Sequence, residues 1–196
     1  YTPNPAARSL VTRRTDSVAL VVPEPDERVF SDPFFVHTLR AVNRVLAPKD
    51  LQLVLLLAQP GEEERRLLRY LRRRHIDGAI VVSHHRSDRL ADHLAALALP
   101  CVFVGRPWTS ADKVAYVDTD NAGGAQAATE VLLERGCTRI GHVSGPEDMS
   151  AGFDRVEGWR TAMRAAGLDD DLVECGDFTE AGGAAAAALL LDKDPD

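Results

Sequence analysis

Residues 17–23 read Ser-Val-Ala-Leu-Val-Val-Pro. A continuous β-branched and aliphatic run with no polar alternation marks a strand buried on both faces, as in a parallel sheet covered by helices. Three further runs repeat it: 51–57, 79–83 after the Asp77-Gly78 turn, and 100–104. Between them the apolar spacing turns helical. Residues 34–46 place Phe35, Leu39, Val42 and Leu46 along one side. Residues 61–74 place Leu67, Leu68 and Leu71 inward, with arginines and glutamates outward. Residues 88–97 read as a third helix, and 25–33, flanked by prolines, as loop. Strands alternating with helices predict βαβ units and a parallel sheet.

A second series follows. Residues 114–117 predict a short strand. Residues 121–135 predict a helix, capped by Asp120 or Asn121 and stopped by Gly136. Strand 139–144, helix 155–166 ended by Gly167, strand 172–175 and the alanine-rich helix 180–191 complete the pattern.

Composition narrows the function. The chain has 196 residues, 45% hydrophobic and 27% charged, which suits one large domain or two small ones. The net charge of −7 opposes nucleic-acid binding by the body of the protein. Cys101, Cys137 and Cys175 are few, odd in number and without C-x-x-C spacing, which argues for a reducing compartment and against a disulfide or zinc framework. No run is long enough to span a membrane, no signal peptide is visible, and Tyr1 in place of Met reads as a fragment or a trimmed chain. Enzyme motifs are missing. In Gly141-His142-Val143-Ser144-Gly145 the serine stands one place late for a nucleophile elbow. No phosphate-loop or dinucleotide fingerprint occurs, and His84-His85 reads as a solvated loop pair rather than a metal site. No cofactor is expected.

The first ten residues are the second informative stretch. Asn4 is a good helix N-cap and Pro5 suits the first helical position, but the segment is too short to be a stable helix alone. The run Tyr1-x-Pro3-Asn4-x-x-Ala7-Arg8-x-Leu10, followed by Thr15 and an apolar strand, resembles the hinge of the lac repressor family. The resemblance continues through Asp77-Gly78, Val104-Gly105-Arg106, Val117-x-x-Asp120-Asn121, Leu133-x-x-Gly136-x-x-x-Ile140-Gly141, Gly145-Pro146 and Arg155-x-x-Gly158-Trp159.

That resemblance implies an α/β fold of two lobes, like a periplasmic binding protein. Residues 1–16 would be hinge and linker, 17–117 the N-terminal lobe, and 118–196 part of the C-terminal lobe. It implies that the helix-turn-helix head and the later part of the core are missing from this sequence. It also implies a homodimer, in which helices 34–46 and 62–74 supply interface, and a cytoplasmic regulator that binds operator DNA. The hinge would fold on DNA through Asn4, Ala7, Arg8 and Leu10, with Leu10 opening a base step.

Ligands of open parallel sheets bind beyond the carboxyl ends of strands. That rule selects the loops after Val22, Val82, Val104, Ser144 and Cys175, and with them Ser83 and Arg106. The resemblance adds an aromatic pair, Phe34 and Phe35, the effector-holding Arg155, and Phe178 stacking on the ligand. Met149 and Ala151 lack the polar character of purine-responsive relatives, so a sugar effector is favoured. A periplasmic sugar-binding protein of the same fold is the rival reading, and an enzyme on a doubly wound sheet a third, with fold-level support only.

Overall fold

The computed structural model describes residues 14–196, apart from 60, 74, 98, 194 and 196. Asn4, Ala7, Arg8 and Leu10 therefore lie outside the described residues. The contacts divide the chain into two compact units. Unit 1 holds residues up to 84 and 88–117; unit 2 holds 85–87 and 118–196.

Unit 1 is a five-stranded parallel sheet in the order β2-β1-β3-β4-β5. Its strands are β1 (Ser17–Val22), β2 (Gln52–Leu57), β3 (Gly78–Val82), β4 (Cys101–Val104) and β5 (Ala115–Val117). The helices are α1 (Asp26–Ser31), α2 (Pro33–Leu46), α3 (Glu62–Arg72) and α4 (Leu90–Ala95). Strand β1 explains why both faces are covered. Ala19 and Val21 join Leu67, Leu68, Leu71, Leu90, Leu94 and Phe103 on one side, while Leu20 and Val22 join Val29, Phe35 and Val82 on the other. Alternate side chains of a strand point to opposite faces, so a strand with apolar residues at every position needs a helical layer on each.

The start of β1 is fastened by one side chain. Asp77 accepts bonds from Thr15 N (2.9 Å), Thr15 Oγ1 (3.1 Å) and Asp16 N (2.9 Å). The Asp77-Gly78 turn thus ties the entry of the chain to the neighbouring strand β3.

Unit 2 is a two-stranded parallel sheet, β6 (His142–Ser144) and β7 (Val173–Cys175), with α5 (Asn121–Glu134), α6 (Ser150–Ala165) and α7 (Glu180–Leu191). Its core is Ile140, Trp159, Met163, Leu172 and Leu190. The indole of Trp159 donates to Ile140 O at 3.2 Å, so the largest buried side chain leaves no orphaned donor. Helix α5 starts where the sequence marks it, with Asp120 accepting from Gly123 N at 2.8 Å. It packs tightly on α6 because position 158 is glycine: a Cβ there would collide with the Ala122 carbonyl.

Four details differ from the sequence reading. The stretch 25–33 contains α1, which begins after Pro25, carries Asp26 and Glu27 in its first turn and buries Val29. Strand β2 is half-buried rather than enclosed, because it is the sheet edge. Residues 139–141 are not strand; the sheet begins at His142. Helix α6 starts at Ser150, so Arg155 sits in its second turn and not at the N-terminus.

Candidate functional site

In unit 2 the carboxyl ends of β6 and β7 open onto a cavity of about 200 Å³, lined by His142, Val143, Ser144, Gly145, Arg155, Gly176, Phe178, Thr179 and Gly183. Arg155 is held from one side: its Nε donates to Asn121 Oδ1 at 2.9 Å. Asn121 is buried and anchored in turn, its Nδ2 donating to Asp118 Oδ1 and Thr119 O, both at 3.2 Å. The guanidinium lies over the Phe178 ring, with Cζ 5.6 Å from the centroid. That is a cation–π arrangement, and the guanidinium's other nitrogens are not used by it.

Phe178 adopts φ +63°, a left-handed backbone that a bulky residue rarely takes. The turn is stabilised locally: the Asp177 carboxylate accepts from Thr179 N (2.9 Å) and Thr179 Oγ1 (2.5 Å). The ring lies against Gly145, where any side chain would collide with it. The bare backbone of Gly145 thus gives the aromatic ring its room. Beneath the cavity, His142 stacks on Trp159, centroids 5.6 Å apart and planes 22° apart. Its Nε2 is buried with no hydrogen-bond partner among the described residues. Burial first, then Arg155 and Arg160, pushes the imidazole below its ordinary 6.5, which favours its neutral form.

In unit 1 the corresponding strand ends carry a buried polar knot. Ser83, at φ +60°, donates its Oγ to Glu24 Oε1 at 2.5 Å. Glu24 Oε2 accepts from Arg28 Nη1 at 3.1 Å, and Glu24 is only 4% exposed. His84 meets Gly105 O through Nε2 at 3.2 Å; a carbonyl only accepts, so that nitrogen carries the proton. The His84 ring packs edge-on to Phe103.

Of the six ligand-facing candidates within the described residues, the structure brings Arg155 and Phe178 together. Ser83 is at a strand end but committed to Glu24. Arg106 is half-buried just after β4. Phe34 is 48% exposed in the first turn of α2, its ring edge-on to Phe35 at 5.3 Å. Phe35, at 5%, is core between the sheet and α2. It was expected beside a ligand; the helical stripe that includes Leu39 and Leu46 turns it inward instead. The His84-His85 pair is not solvated. His84 is buried, and His85 is half-buried with Nδ1 2.9 Å from Asp148 Oδ2. Among the described residues no group of three or more His, Cys, Asp or Glu is placed to hold a metal.

Sequence reasoning passed over Glu24, Asn121 and His142. Asn121 carried a signal that was read only as a helix cap. Capping falls to Asp120, which frees Asn121 for Arg155. Glu24 had a weaker signal, a carboxylate two residues beyond a buried strand.

Covered parallel sheets whose strand ends gather an arginine, an aromatic ring and buried polar groups have the architecture of an α/β binding protein. The chain belongs to the family of periplasmic binding proteins and sugar-binding domains of LacI-family proteins, whose model matches residues 15–196. It is 45% identical to the HTH-type transcriptional regulator CelR of Thermobifida fusca, over 100% of this chain and 58% of that protein. It is 26% identical to the HTH-type transcriptional regulator MalR of Streptococcus pneumoniae, over 100% of this chain and 60% of the relative. Among solved structures, a complex of the transcriptional regulator CelR with cellobiose superposes with a TM-score of 0.86 at 41% identity, covering 100% of this chain and 64% of that one. The chain thus spans less than two thirds of the length of these relatives. They are named as regulators, not as enzymes.

Proposed function

We propose that the chain is the effector-binding core of a cytoplasmic LacI-type transcription regulator and that its effector is a neutral sugar, with a β-linked glucose disaccharide such as cellobiose as the first candidate. The observation that carries this reading is the Asn121–Arg155–Phe178 assembly. A guanidinium locked by Nε presents its remaining donors to hydroxyls, while an aromatic edge and face beside it suit the C–H surface of a pyranose. The likeness to CelR and to its cellobiose complex supports the choice of sugar.

The division into lobes at 117/118, the hinge role of residues 1–16 and the site roles of Ser83, Arg106 and Phe34 belong to the same proposal. So do operator binding through Asn4, Ala7, Arg8 and Leu10, and homodimerisation through α2 and α3. Effector binding would shift operator affinity as a coupling free energy between two sites. Titration calorimetry with cellobiose tests the core of the proposal. Arg155→Ala removes a charge-assisted bond of roughly 1.5–3 kcal/mol, so affinity falls about 10- to 100-fold. Unchanged affinity in a folded variant rejects the assignment. Sedimentation of the intact regulator as a monomer at micromolar concentration would reject the dimer.

A further inference from the structure

Among the described residues that line the Arg155 cavity, His142 alone carries a side chain that titrates near neutral pH. It opens β6, and its ring stacks on the buried Trp159. Its Nε2 is buried and within reach of no hydrogen-bond partner among the described residues. A proton arriving on that nitrogen would therefore find no acceptor and little solvent, and a buried charge without either is costly.

The elements packed on β6 do not compensate such a charge. Helix α6 brings Arg155 and Arg160, and both act on the imidazole to disfavour its proton. Glu157 of the same helix is engaged by Arg160 Nη1 at 3.0 Å. Strand β7 brings Glu174, bonded to Lys193 Nζ at 2.5 Å, and Cys175, whose thiol donates to Gly145 O at 3.6 Å. Helix α7 contributes Glu180, exposed at its start. A ligand in the cavity takes the place of water that would help to solvate an imidazolium. It also needs the Arg155 guanidinium in place, and a second cation beneath the cavity would repel it. Both effects disfavour the proton more strongly when the cavity is filled than when it is empty.

We propose that ligand binding at the Arg155 cavity is linked to the proton on His142, so that acidification weakens binding and binding expels a proton. His142 acts here as a positioning residue, through Arg155, and not as a ligand contact. The link presupposes that the cavity holds the effector, as proposed above. The sign follows from the two states. The imidazole of the empty folded protein lies below 6.5, and that of the filled protein lower still. Affinity is constant above about 6.5, falls as pH drops through the empty-protein value, and levels off below the filled-protein value. Each unit between those two values changes affinity about tenfold. Titration calorimetry with cellobiose tests this at about pH 7.5 and at the lowest pH that leaves the circular dichroism unchanged, in buffers of different ionisation enthalpy. Wild type should bind several-fold more weakly at the lower pH and release up to about one proton there, and none at the higher. His142→Phe keeps a ring on Trp159 and His142→Gln keeps a polar group; neither titrates, so both effects should vanish in whichever variant folds, whatever its own affinity. The proposal is overturned if wild-type affinity is the same at both pH values, if it rises on acidification, or if the variants keep the wild-type pH dependence. Cellobiose that binds at neither pH rejects the effector reading and this link with it, whereas binding without proton release rejects the link alone.

Discussion

At the scale of single residues, the buried imidazole of His142 couples the Arg155 cavity to pH. Burial and two arginines disfavour its proton in the folded state, while the unfolded chain takes the proton near the ordinary 6.5. As pH falls through that value, the unfolded state binds the proton first, and stability declines until the lower folded-state value is passed. Above about 6.5 the contribution is fully present. His142→Phe keeps a ring on Trp159 and removes the titration. Its urea midpoint should fall less steeply between neutral and mildly acidic pH than that of the wild type, and parallel curves would show that His142 does not titrate as argued. None of this was legible in the sequence. An imidazole in Gly-His-Val-Ser-Gly carries no sign of Trp159, seventeen residues on, or of Arg155. Arg155 and Phe178 were legible through a resemblance, whereas Glu24 and Asn121 act through partners 59 and 34 residues away. Spacing along a chain does not reveal such pairs.

At the scale of elements, the contact of α5 with α6 sets the site. Gly158 lets the Ala122 carbonyl approach, and Ala122 follows the Asn121 that holds Arg155. Gly158→Val should push the helices apart and destabilise by about 1–3 kcal/mol, the usual range for overpacking. It should also loosen the Asn121–Arg155 bond, so sugar affinity should drop although neither altered atom touches ligand. Denaturation midpoints and calorimetry on the same variant separate the two effects; a destabilised variant with unaltered affinity would break the link. Strands and the longer helices could be read from the sequence because β-branched runs, caps such as Asp120 and stops such as Gly136 act locally. Helix α1 could not. Six residues are too few to show a period, and Pro25 and Pro33 look like loop punctuation. The early start of α6 was hidden because Ser150-Ala-Gly152 reads as turn, yet Gly152 is small so that the helix can pass the Pro146 carbonyl.

At the scale of the molecule, charge and architecture divide the work. A net charge of −7 repels the phosphate backbone, and no helix among the described residues is long and apolar enough to cross a membrane. The core alone should therefore leave duplex DNA unretarded in a gel-shift experiment at physiological salt, even at micromolar protein. Retardation that fades with added salt would mean that the body carries a phosphate-binding surface of its own.

The stack of His142 on Trp159 also gives the protein an optical reporter. Indole emission is quenched by a protonated imidazole in contact with it, and Trp159 is fully buried beside the Arg155 cavity. The chain has two tryptophans, so with Trp108 replaced by phenylalanine all indole light would come from this stack. Its brightness would follow the proton on His142. The proton on a buried imidazole would thus be read in the spectrum of an unlabelled chain.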